Sequence, residues 1–127
     1  MRPEDKTLTD KGSNLIVAKS KAFAVAVVRA YQRLRSEKGE FVLSKQLLRS
    51  GTSIGANIHE ATRGQSLADF TAKMSIALKE AQETDYWLDL LHETDYIPSD
   101  SFAKLHAMND ELLRLLTSIC KTSASRL

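Results

Sequence analysis

Asp89 and His92, three residues apart on one helical face, are the nearest this chain comes to a metal-ligand pair. Di-iron bundle sites need two Glu-x-x-His repeats plus two further glutamates, and the chain offers a single Asp-x-x-His. His59, His92 and His106 have no ligand-like spacing with one another and read as surface or boundary residues. Ser53 and Glu60 suggest hydrolysis only if a base is at hand, and no histidine falls near Ser53 on its helical face. Cys120 is the sole cysteine, so no intramolecular disulfide forms, and Leu115, Leu116 and Ile119 around it predict a buried thiol. No glycine-rich phosphate loop follows a strand, because no strand is predicted. The expectation is a non-enzyme with no catalytic residue, no metal and no cofactor.

The bulk properties set the frame for the elements that carry these residues. Over 127 residues, 43% are hydrophobic and 27% charged, an ordinary balance for a water-soluble domain. The longest apolar run, AFAVAVV at 22–28, falls far short of the roughly 20 residues that span a bilayer, so no membrane partner is expected. The start, MRPEDKTLTDKG, alternates charges without an apolar segment, unlike a secretory signal, and a cytoplasmic protein is expected. The net charge of +2 hides an asymmetry. Residues 12–40 hold six cations against two anions and residues 41–64 three against one, whereas residues 65–97 hold two against seven. Such a division marks either a nucleic-acid face or basic helices packed beside an acidic one.

Apolar residues recur at three and four along almost the whole chain, which predicts an all-α fold. The first helix is expected from Ser13 or Asn14 to Lys38, burying Ile16, Phe23, Val27, Ala30 and Leu34, with Gly39 as its stop. Ser44 is the expected cap of the second, with Leu43 and Leu48 as a staple across it, and Gly64 ends that helix. Ser66, with Asp69 reaching back, starts a third helix expected to last until Tyr96. Pro98 breaks the chain, and Ser99 with Asp100 restarts it as a fourth helix burying Phe102, Leu105, Leu112, Leu116 and Ile119. Short connections predict a single antiparallel up-down-up-down four-helix bundle over residues 1–127, with residues 1–12 and 122–127 as frayed tails.

The second helix contains LLRSGTSIGANIHEATRG, a composition that counts against helix: each interior Gly costs about 1 kcal/mol relative to Ala, and Ser, Thr and Asn compete for backbone hydrogen bonds. At 3.6 residues per turn the segment resolves into three strips. Leu43, Leu47, Ile54, Ile58 and Ala61 are apolar; Gln46, Arg49, Ser53, Asn57 and Glu60 are polar; Gly51, Gly55 and Thr62 have almost no bulk. The small strip lets another backbone approach closely. Arg49, Ser53, Asn57 and Glu60, together with Glu83 of the third helix, are expected to form a buried or interfacial polar network.

The third helix accounts for its core with Leu67, Phe70, Met74, Ala77, Ala81, Leu88 and Leu91. Ile76, Trp87 and Leu90 project from the opposite side, with Ala72 and Glu83. An apolar cluster there predicts a protein interface, and Ile76, Trp87, Leu90, Gly51 and Gly55 are the candidates for holding copies of the chain together.

The run Arg49-Ser50-x-x-Ser53-Ile54-x-x-Asn57-Ile58-x-Glu60 resembles the signature of the bacterial four-helix-bundle proteins encoded in intervening sequences of 23S ribosomal RNA genes. Ala77-x-Lys79-Glu80-x-x-Glu83-Thr84-x-x-Trp87-Leu88 is similar to that family's second motif, with Lys79-Glu80 where many members carry Gly-Ser. The resemblance covers residues 14–120 and implies a bundle assembled as a homo-oligomer, with a ring of five as the implied form. A more distant similarity, to the basic bundle proteins that accompany reverse transcriptases in diversity-generating retroelements, implies nucleic-acid binding.

Two readings of function follow. One is a non-catalytic oligomeric module whose partners are itself and RNA or DNA, alone or as nucleoprotein. Its candidate phosphate contacts, by charge alone, are Lys19, Lys21, Arg29, Arg33, Arg35, Lys45 and Arg63. Tyr31 is the only ring near them, so sequence-specific single-strand recognition is not supported. The other is a protein-interaction scaffold without nucleic acid.

Overall fold

The computed structural model describes residues 13–127, and the expected fraying of residues 1–12 lies outside it. Four helices and no strand make up the described residues: α1 (Ser13–Lys38), α2 (Leu43–Thr62), α3 (Leu67–Glu93) and α4 (Ser99–Ala124). Gly39 ends α1 at φ 64°, a left-handed turn that costs glycine little, and the Glu40 N–H donates back to the Leu34 carbonyl at 3.0 Å.

That turn also corrects the expected cap of α2. Ser44 lies inside the first turn and is buried, and its hydroxyl donates to the Glu40 carbonyl at 3.0 Å. The orphan N–H groups are met by the Glu40 carboxylate, which accepts from Val42 at 2.7 Å, Leu43 at 3.0 Å and Ser44 at 3.1 Å. Val42 occupies the cap position, so Leu43 and Leu48 have no cap at Ser44 to staple across.

The α3 cap is as expected on the serine side, Ser66 Oγ accepting from the Asp69 N–H at 3.0 Å. Its other end falls at Glu93, three residues before Tyr96. Asp95 takes φ 69°, and the N–H groups of Tyr96 and Ile97 both return to the Leu91 carbonyl, which carries Ile97 into the core. Pro98 therefore marks the start of α4 rather than the end of α3. At the far end α4 runs through Ala124 with Ser123 buried, so 122–124 are helix rather than frayed tail.

Ile16, Phe23, Val27, Ala30 and Leu34 of α1 meet Leu47, Ile54 and Ile58 of α2, Phe70, Met74 and Leu88 of α3, and Leu105, Leu112 and Leu116 of α4 in one core. Leu43, Leu67 and Phe102 pack at its margin. Each helix packs along its successor, and α1 meets α4 less extensively. Ser20 and Val27 meet Gly55 and Gly51, Arg49 and Glu60 meet Glu83 and Lys73, and Ser75 and Asp85 meet Cys120 and His106. Two polar links cross the interior: Thr84 Oγ1 lies 2.9 Å from Ser50 Oγ, and Asn109 Nδ2 donates to the Ala81 carbonyl at 2.9 Å.

Candidate functional site

The polar strip of α2 divides where the sequence suggested one network. Arg49 reaches α3, donating to Glu80 at 3.0 Å and to Glu83. The Trp87 indole N–H donates to the same Glu83 carboxylate at 3.0 Å. Glu83 holds the Arg49 guanidinium above its ordinary pKa, while the indole N–H and then Arg49 hold the Glu83 carboxyl below the usual carboxylate range. Glu60 stands apart, paired with Lys73 at 3.1 Å.

Ser53 and Asn57 turn to their own helix, Ser53 Oγ donating to the Arg49 carbonyl at 2.6 Å and Asn57 Nδ2 to the Ser53 carbonyl at 2.8 Å. Thr52 does the same toward Leu48 at 2.7 Å. Such back-bonding lets a helix carry short polar residues without unmet donors. Within one chain the strip is half-buried to exposed, with the Arg49 side chain 49% accessible.

At Gly51 the small strip is filled by the chain itself. A Cβ at Gly51 would lie 2.8 Å from both methyl carbons of Val27, and one at Gly55 would lie 3.5 Å from the Ser20 carbonyl oxygen. Gly51 is buried under α1, which removes it from any interface between copies. Gly55 is half-buried in a hollow of about 410 Å³ with Val17, Lys21, Thr52 and His59. Of the α3 candidates, Ile76 is exposed and Trp87 and Leu90 are half-buried; Tyr86, 60% exposed, meets Trp87 edge-on at 5.0 Å. The sequence reading missed exposed apolar residues on α1, Val25 and Val28 one turn apart and Leu15 nearer its start.

The basic candidates also separate. Lys19 pairs with Glu111 at 3.1 Å, and Arg35 donates to the Tyr31 hydroxyl at 2.9 Å. Lys21, Arg29, Arg33, Lys45 and Arg63 are exposed, with no carboxylate within 4 Å among the described residues. Arg49 thus faces acidic α3, while most of the basic candidates face solvent. Lys104, from the other end of the sequence, joins Arg29 and Arg33 around a groove of about 360 Å³ between α1 and α4, which Ala26, Ser101, Leu105 and Met108 complete.

The sequence over residues 13–118 matches the family model described as 23S rRNA-intervening sequence protein. The chain belongs to that family. A crystal structure from Bacteroides thetaiotaomicron VPI-5482, described as a protein with unknown function from the S23 ribosomal protein family, is 52% identical. The similarity covers 87% of this chain and 98% of that one, with a TM-score of 0.85. Comparison with curated proteins gives no significant match. In this member of the 23S rRNA-intervening sequence protein family, Glu80 supplies the second carboxylate to Arg49.

The residues with chemical potential stay dispersed. His59 is exposed; His92 stacks on Phe102 at 4.1 Å with its Nε2 3.2 Å from Ser99 Oγ; His106 Nε2 lies 3.5 Å from Asp85. Among the described residues no three His, Cys, Asp or Glu side chains gather as a metal site. Cys120 is half-buried against α3, and burial pushes its thiol pKa up. No helix of the described residues is long and apolar enough to cross a membrane.

Proposed function

We propose that the protein is a non-catalytic, up-down-up-down bundle module of the cytoplasm that assembles with copies of itself and binds RNA or DNA through basic surfaces of α1 and α2, extended across the α1–α4 groove by Lys104. The observation that carries the reading is the groove between α1 and α4, where Arg29, Arg33 and Lys104 stand exposed, with no carboxylate partner among the described residues, around half-buried Ala26 and Met108 and buried Leu105. Unpaired cations gathered along one groove favour a polyanion, because binding releases its condensed counterions. Assembly multiplies a weak patch, since linked sites add avidity without new contacts. Exposed Ile76 on α3 and Leu15, Val25 and Val28 on α1 are the apolar surfaces available for it, and a ring of five is the form implied by the family resemblance.

The test is fluorescence anisotropy with labelled RNA and DNA across a salt series, for the natural protein and for the triple variant Arg29→Ala, Arg33→Ala, Lys104→Ala. Binding at low salt that weakens with added salt is expected, the salt slope falling by about one for each cation removed. No binding by the natural protein at low salt overturns the nucleic-acid part. The apolar α1 and α3 surfaces then favour a protein scaffold.

A further inference from the structure

The short connection between α1 and α2 brings together what the sequence keeps apart. Phe41 remains 50% exposed, and beside it Val42 is 71% exposed. The Arg35 guanidinium carbon lies over both neighbouring rings, 5.1 Å from the Phe41 centroid and 5.3 Å from that of Tyr31. One guanidinium nitrogen is held by the Tyr31 hydroxyl, which orients the stack. Lys38 and Lys45, three residues before and four after Phe41, are exposed with no carboxylate within 4 Å among the described residues.

The nearest acid in sequence, Glu40, is buried and turned onto the N–H groups of Val42, Leu43 and Ser44, where its charge is matched by the start of α2. Glu37, on the preceding turn, lines a hollow toward α4 with Tyr96 and Pro98, which Lys38 borders from the corner side, and it makes no ion pair with Lys38 among the described residues. The corner is thus an exposed aromatic ring buttressed by an arginine and flanked by free lysines. Paired bases in a duplex keep their faces stacked on one another and must be unstacked before a ring can reach them, so a lone ring of this kind favours an unpaired base, with the flanking cations on its phosphates.

We propose that the α1–α2 corner is a stacking site for single-stranded nucleic acid, with an unpaired base on Phe41 and adjacent phosphates on Lys38 and Lys45. This rests on the nucleic-acid reading above and adds the strandedness and a site distinct from the α1–α4 groove. Charge complementarity and the free ring choose a nucleic acid over a protein or lipid partner.

The test measures anisotropy of labelled oligouridine, oligothymidine and a duplex of equal length at low salt, with circular dichroism melts to confirm that each variant folds. Phe41→Leu keeps the apolar bulk and removes the ring. It is expected to weaken single-strand binding about tenfold to a hundredfold and leave duplex binding unchanged, while Phe41→Trp retains single-strand affinity. Tighter binding of oligouridine or of oligothymidine identifies RNA or DNA as the strand bound; either result supports the site. Phe41→Leu that binds single strands like the natural protein, or that weakens strand and duplex alike, overturns it. So does binding to phosphatidylserine vesicles without single-strand binding. Loss of binding in the Arg29, Arg33, Lys104 variant alone keeps the general reading and removes this one. Loss in Phe41→Leu alone keeps the corner and removes the groove.

Discussion

Val27 of α1 seats both of its methyl carbons where a Cβ on Gly51 of α2 would stand, 2.8 Å from each. This contact answers why α2 tolerates glycine at that position: the missing side chain lets α1 close on the core. Gly51→Ala is therefore expected to lower stability by about 1–3 kcal/mol through overpacking, partly offset by its better helix propensity. Gly55→Ala, whose Cβ meets only ordinary contacts from 3.5 Å, is expected to raise it by up to about 1 kcal/mol. Urea melts of both variants check the contrast, and adding Val27→Ala to Gly51→Ala should recover part of the loss.

Glu40 caps α2 from outside the helix. Glu40→Ala leaves three backbone N–H groups without their carboxylate and is expected to cost about 1–2 kcal/mol. Amide exchange at Val42, Leu43 and Ser44 should accelerate more than exchange in the middle of α2. Equal protection in both proteins would show that the carboxylate is not the cap.

Glu83 has a pH dependence of known sign. Its pKa in the folded chain lies below the ordinary value of 4.5, held there by the Trp87 indole N–H and then by Arg49. Its contribution is complete above the unfolded value and is lost as pH falls through the lower folded one. Melting temperature should therefore decline more steeply below about pH 4.5 in the natural protein than in Glu83→Gln. Trp87 fluorescence should titrate over the same acidic range and lose that step in the variant.

Asn57 gives a separation between folding and assembly. Among the described residues its amide donates to the Ser53 carbonyl of its own helix alone, so Asn57→Ala should change the stability of the isolated chain by no more than about 0.5 kcal/mol. If the strip meets another copy, the same change shifts self-association to higher protein concentration. Melts of dilute protein and light scattering across concentration read the two effects independently.

Periodicity made the core legible because it depends only on which face a residue occupies. Ile16, Phe23, Val27, Phe70, Met74, Leu112 and Leu116 all lie inside as their spacing demanded. Spacing says nothing about which neighbour meets a face. The small strip was visible in the sequence, but the identity of its filler, Val27 of the same chain, was not. Arg49 pairs with Glu83, whereas Glu60 is drawn to Lys73, because the position of each charge along the α2–α3 seam decides its partner. The Glu40 cap was hidden because it needs the left-handed turn at Gly39, and the Ser44 hydroxyl offered a simpler alternative. Lys104 and Phe41 escaped for a related reason, since each joins its basic neighbours only once the helices are packed or the turn is made.

Sedimentation velocity of the protein with a labelled single-stranded oligonucleotide, at low and at moderate salt, tests self-assembly and nucleic-acid binding together. At micromolar protein the label is expected to travel with a self-associated species at low salt and to be released as salt is raised, while the assembly persists. A stable monomer sedimenting apart from the label at low salt would contradict it.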